Sequence, residues 1–460
     1  MPIPGETAED DRTANGGAEP ARRMALAAFA VRVAAAGLAY GLQVVLARSM
    51  GGHDYGVYVV VWTAVTLIGP VSGLGFETLV VRSTPKFMAA RAFASLRGMI
   101  TAARLIAFTV ASAFALGAVV VVQALPTLID PDWRVPIMLG AACLPLFAVT
   151  EIQDGTARAQ DWPDLALGPT YILRPLLILL LVVMSLAAGS VISTESALIA
   201  AIGATWITGG LQLLFLGRRL HVTAPTYTPE MRMVRWTGEA LPILMVDIAF
   251  VLITGADVLM VGLIAEPNDV AVYFAAAKSL ALVQFVQYAV RTAAAREFAT
   301  RVHDGDRAAL AAAALRASRW TFWPAAGFAA VTLAAAPWML ALFGRDFAGG
   351  EIVMAVLALG LLARASVGPA ETLLTMSGRQ GLAALVYAGS LATMLGFGVV
   401  LTPMFGIVGA ATAAALGMGV EAIAFSVAAR FALGLDVFVF AGARVAPHVS
   451  LAREAEPWAG

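Results

Sequence analysis

The chain has 460 residues, of which 60% are hydrophobic and only 13% charged; 30 basic and 30 acidic residues cancel. A soluble domain carries roughly 25% charge, and one globular core cannot hide so much apolar surface. The bilayer is therefore the expected solvent, which excludes a cytosolic enzyme, a secreted module and a disordered scaffold. No segment is basic enough for nucleic acid.

Residues 1–23 form a polar tail without the basic start of a cleaved signal peptide. A span needs ~20 mostly apolar residues, and such runs recur along the chain. They fall at 24–47, an uncleaved anchor, then 57–81, 100–123, 135–154, 165–187 and 196–216. After a basic linker, 217–236, they resume at 237–264, 270–295, 319–343, 350–375, 381–402 and 406–430, leaving a tail at 431–460. The runs lack strand-like alternation, so they read as helices. The expectation is an all-α polytopic membrane protein of about 12 transmembrane helices. It divides into an amino-terminal lobe (24–216) and a carboxy-terminal lobe (237–430), six spans each. The Ala-rich link 296–319 reads as an amphipathic interfacial helix.

Basic residues orient the spans. With both termini in the cytoplasm, 21 of the 30 fall on the cytoplasmic side and three, Arg48, Arg134 and Arg345, on the other. The expected outer loops are short, so no sizeable outer domain is available for catalysis. The single cysteine, Cys143, sits in an apolar run, and the four histidines lack ligand spacing. No nucleotide-binding or hydrolase motif appears, so the protein is not expected to be an enzyme.

Ionisable residues within spans cost roughly 2.5–3.5 kcal/mol each on insertion scales, so they should face a cavity or one another. Arg32, Arg174, Lys278 and Arg364 are the deep cations, and four of them suggest a cavity for an anionic ligand. Internal pairing, such as Asp257 with Lys278, is the alternative. Arg104 and Arg291 are close enough to span ends to snorkel. Asp247, Asp257, Glu371 and Glu421 are candidates for ion pairs, or for coupling to a proton or sodium ion. No other cofactor and no metal is expected.

Four stretches carry a resemblance. "LARSMGGHDYGVYVV" (46–60) resembles a motif AR-x-x-G-x-x-x-Y-G-x-Y, matched at Arg48, Gly51, Tyr55, Gly56 and Tyr58. "GLGFETLVVRS" (73–83) approaches Arg82. "DVLMVGLIAEPNDVAVYFAAAKSLAL" (257–282) and "LFGRDFAGG", "SGRQGL" and "MFGIVGAATAAALG" (342–417) follow in order. Together they resemble the polysaccharide transporter branch of the multidrug/oligosaccharidyl-lipid/polysaccharide exporter superfamily, the O-antigen, capsule and exopolysaccharide repeat-unit flippases. The resemblance implies two lobes around a central cavity and alternating access in the bacterial inner membrane. It implies an undecaprenyl diphosphate-linked oligosaccharide as substrate, with membrane lipids, a polymerase and chain-length machinery as partners. A multidrug exporter or peptidoglycan-precursor flippase of the same superfamily, or a membrane polymerase or ligase, are the rival readings.

Overall fold

The computed structural model describes residues 34–223 and 228–442, which form helices and the turns between them. Helix α1 covers 34–50, followed by α2 (Gly52–Ser72), α3 (Phe76–Ala89), α4 (Phe93–Ala124), α5 (Pro131–Ala159) and the short α6 (Pro163–Leu167). A π-helical turn, Gly168–Leu173, leads into α7 (Arg174–Ala187), and α8 is Thr194–Thr223. The second half holds α9 (Met233–Ile264), α10 (Pro267–Ser279), α11 (Ala281–Asp304), α12 (Arg307–Ala334) and α13 (Ala336–Phe343). It closes with α14 (Gly350–Ala365), α15 (Ala370–Met376) and α16 (Gln380–Leu433).

Seven of these helices are long and apolar enough to cross a membrane, or up to nine if each of two bent pairs is one span. The protein is thus a multi-pass membrane protein, but the expected runs and the helices do not correspond one to one. The run 57–81 is split between α2 and α3. The run 270–295 bends by 47° between α10 and α11, and 319–343 by 63° between α12 and α13. Conversely, α16 holds two runs, joined at Gly406 (φ 60°, ψ −144°). A side chain is disfavoured in that conformation, and Pro403 just before it removes a backbone donor. The two arms then pack together, with the Ser390 hydroxyl donating to the Gly417 carbonyl (2.9 Å). A hydropathy window averages over such breaks; it counts apolar stretches, not rods.

The interfacial helix expected at 296–319 does not form as a separate element. α11 continues to Asp304, the chain turns at Gly305, and α12 begins at Arg307. Asp306 caps α12, its carboxylate accepting from the Ala309 amide at 2.9 Å. Leu310, Ala311, Ala314 and Ala317 are buried in the helical core, not laid on a lipid surface. Within the stretch 217–236, α8 runs to Thr223 and α9 starts at Met233.

The helices assemble as two bundles. α5 sits at the centre of the first, against α2, α3, α4 and α8. It starts at an Asp130 cap followed by Pro131, the favoured order for a helix start. The outward side of α4, with Phe108, Phe114, Leu116 and Val120, is exposed apolar surface suited to lipid. In the second bundle α16 packs on α14 and α15, and α11 on α12. α2 and α3 meet α9 and α10 across the join.

Candidate functional site

The second bundle contains a cavity of about 330 Å³ among α9, α11, α12, α14, α15 and α16. Its lining carries Arg291, Arg364, Asp257, Glu371 and Glu421, together with Gln287 and Tyr387. Each arginine is held by a carboxylate. Arg364 Nε lies 2.9 Å from Glu421 Oε1, and only 3% of the Glu421 side chain is exposed. Arg291 Nη1 lies 3.3 Å from Glu371 Oε2, with about a third of each side chain accessible. The Tyr387 hydroxyl faces both Arg364 and Glu371, linking the two pairs. Gln287 donates to the Leu361 carbonyl at 3.1 Å and fixes α11 against α14. Glu371, on α15, pairs with Arg291 at the cavity.

Asp257 accepts a hydrogen bond from the Tyr273 hydroxyl at 2.9 Å. Its expected partner, Lys278, interacts with it electrostatically and also places Nζ 4.9 Å from the centre of the Phe274 ring. Lys278 stands at the bend between α10 and α11. Its side chain is exposed.

The expected deep cations are not gathered into this cavity. Arg364 lines it. Arg174 lies in the first bundle, 5% exposed, donating to the Thr150 hydroxyl at 3.0 Å and sitting 4.6 Å from the Phe147 ring centre. Arg32 lies outside the described residues. Asp247, on α9, accepts from the Thr78 hydroxyl of α3 at 3.3 Å, a contact between the bundles.

A second polar cluster was not anticipated. In "TEIQDGTAR" (150–158), Glu151, Asp154 and Arg158 recur three and four apart, which puts them on one side of α5. Asp154 accepts from Thr170 on the π-helical turn (2.7 Å) and from Gln212 on α8 (2.5 Å). Arg158 binds Glu77 of α3. Glu151 and Asp154 fall in the last turn of the apolar run 135–154, and the three-four spacing was the available signal.

The motif at 46–60 forms the seam between bundles. Arg48 donates to the carbonyls of Leu342 (2.7 Å) and Ala341 (3.2 Å), the last turn of α13, where a cation also meets the negative end of the helix dipole. Gly51 precedes α2 at φ 79°. Tyr55, fully buried, donates to Gln43 at 3.0 Å and packs edge-on against Phe274 and Phe347. Gly56 lies directly on the backbone of Pro267, at the start of α10. Arg82 is exposed and does not take part in the seam.

Residues 22–295 match the sequence model of a family described as "Polysaccharide biosynthesis protein". The chain belongs to that family. No curated protein matches it in sequence. Among solved structures it resembles a multidrug-resistance MATE family transporter of the MOP superfamily in its inward-facing conformation. The TM-score is 0.71 at 14% identity, covering 87% of this chain and 97% of the other. The outward-facing conformation of such a transporter scores 0.60 at 14% identity, covering 87% and 92%. The lipid II flippase MurJ, inward closed, scores 0.69 at 11% identity, covering 88% and 87%. The fold of this polysaccharide biosynthesis family member is the one these carriers share.

Proposed function

We propose that the protein is a flippase that moves undecaprenyl diphosphate-linked oligosaccharide repeat units from the cytoplasmic to the outer face of the plasma membrane by alternating access. Family membership over more than half of the chain carries the reading. The positive-inside bias orients it with both termini in the cytoplasm, so the Arg48–α13 seam closes the outer side. The closer fit to the inward-facing than to the outward-facing carrier supports the same assignment. The diphosphate is anionic, and guanidinium and ammonium groups are its natural partners. Lys278 at the α10–α11 bend and Arg364 in the cavity are assigned to it, with Arg32 and Arg174 as further cations of the path. The isoprenoid tail stays in lipid while the glycan crosses between the amino-terminal and carboxy-terminal lobes. A polymerase and chain-length machinery on the outer side take the product.

The test is a deletion strain from which lipid-linked oligosaccharides are extracted and assigned to a membrane face. Repeat units accumulating on the cytoplasmic face, cleared by restoring the gene, support the flippase; unpolymerised units on the outer face refute it. One observation favours a second reading. The cavity sets three carboxyl groups against two guanidinium groups, a balance that suits an organic cation. Export of multidrug type predicts that the same strain becomes hypersensitive to cationic dyes, with oligosaccharide sidedness unchanged.

A further inference from the structure

Both arginines of the cavity are already occupied. Glu421 sits on Arg364 at 2.9 Å and Glu371 on Arg291 at 3.3 Å. These contacts use the same N–H donors that a phosphoryl oxygen needs, because carboxylate and phosphate fit a guanidinium in the same way. Each contact engages one N–H of its guanidinium, so a diphosphate that binds the arginines through those same donors has to remove the carboxylates. Once displaced, Glu421 has little access to water. It then shares the site with Glu371 and with Asp257 on α9, while the arriving anion adds further negative charge. Like charges and poor hydration both favour the neutral acid. The other titratable groups lining the cavity are Tyr387 on α16 and Tyr288 on α11, while Lys278 on α10 interacts electrostatically with Asp257. The α12 lining is Thr321, which does not titrate in this range.

We propose that Glu421 and Glu371 are internal stand-ins for the substrate's diphosphate: they neutralise Arg364 and Arg291 in the empty carrier, and an arriving diphosphate displaces them with uptake of protons. The inference rests on the flippase reading. It explains how an empty carrier reorients without carrying unpaired, partly buried guanidinium groups, which are costly to leave without a counter-charge. It also resolves the cavity's unexpected charge balance, since the acids belong to the resting state and the arginines to the loaded one. The proton that leaves solvent ends on the displaced carboxylate oxygen, and no bond of the ligand is broken.

The experiment is calorimetric titration of the purified full-length protein with inorganic diphosphate, at several pH values and in buffers of different protonation heat. The ligand's own titration is common to all variants, so differences between them isolate the carboxylates. Wild type should take up protons on binding and bind more weakly as pH rises. Glu421→Gln should bind about tenfold more tightly at pH near 8 and take up fewer protons, by as much as about one per ligand. Glu371→Gln, at the more accessible pair, should show the same signs and carries the test if Glu421→Gln does not fold. Binding with equal affinity and equal proton uptake in all three proteins overturns the inference and leaves the anion site standing. Absence of diphosphate binding to wild type and both variants at every pH overturns the anion site itself, and this inference with it.

Discussion

Replacing Gly56 by leucine should open the seam between the two bundles at the Arg48 end. A Cβ at residue 56 falls 2.5 Å from the carbonyl carbon of Pro267 and 2.9 Å from its Cα, and nearer still to the carbonyl oxygen. Real Cβ atoms essentially never approach backbone under 3.0 Å. The obstacle is backbone at a helix start, so no rotamer relieves it; α2 and α10 must separate. Overpacking of this kind costs about 1–3 kcal/mol. If only the closed seam suffers, the balance shifts toward the open seam by about 5- to 150-fold. Thiol labelling can read the shift. Ala271 is fully buried and lies one turn beyond Pro267 on the same side of α10. The native Cys143 is only 1% exposed, so background reaction is low. An Ala271→Cys protein should label slowly with a membrane-impermeant maleimide, and at least about fivefold faster once Gly56→Leu is added. Equal labelling in a well-folded double variant would falsify the assignment of Gly56 to a closing contact. Export should fall in step with labelling, because a carrier held open on one side cannot complete its cycle.

Further outcomes follow from the same contacts. Arg364→Ala strands the nearly inaccessible Glu421 carboxylate, so thermal stability should fall by the equivalent of about 3–5 kcal/mol; an unchanged melting curve contradicts the buried pair. Gln212→Leu removes a donor from Asp154 and should lower stability by about 1–3 kcal/mol, with Asp154→Asn in the same background recovering part of the loss. Glu230, in the connection between the bundles, accepts from Ser95 (2.6 Å) and from Arg232. The Ser95 hydroxyl and the Arg232 guanidinium hold its carboxyl below its usual range. A depressed carboxylate stabilises above its unfolded pKa, and that contribution is lost as pH falls through the folded value. The protection of amides around Ser95, taken relative to the intrinsic exchange rate at each pH, should therefore fall between about pH 5 and 3, and Ser95→Ala should abolish most of that dependence; a pH-independent protection contradicts the anchoring contact. Arg48→Ala should release the last turn of α13 and raise exchange there, while Arg82→Ala, at an exposed position outside the seam, should leave it unchanged.

Membrane class, helical content and family were legible in the sequence, because each rests on local properties. Hydropathy adds residue by residue, so runs such as 100–123 declare themselves without knowledge of any neighbour; α4 covers that run. Caps are equally local, as Asp130–Pro131 and Asp306 show. The motif at 46–60 signalled a constrained turn, but not what constrained it. The breaks inside long runs escaped notice, since an average over apolar residues is blind to a bend between α10 and α11. The partners of the buried charges were beyond reach for a different reason. Arg291 meets Glu371 from 80 residues away, and Arg364 meets Glu421 across 57. An inserted charge has to be neutralised somewhere, which the sequence alone establishes; which opposite charge comes within 4 Å depends on how α11, α14, α15 and α16 rotate and cross. The tertiary structure alone therefore turned a set of deep cations into a cavity whose arginines already carry carboxylates. It also showed that Gly56 is small because the backbone of Pro267 lies against it.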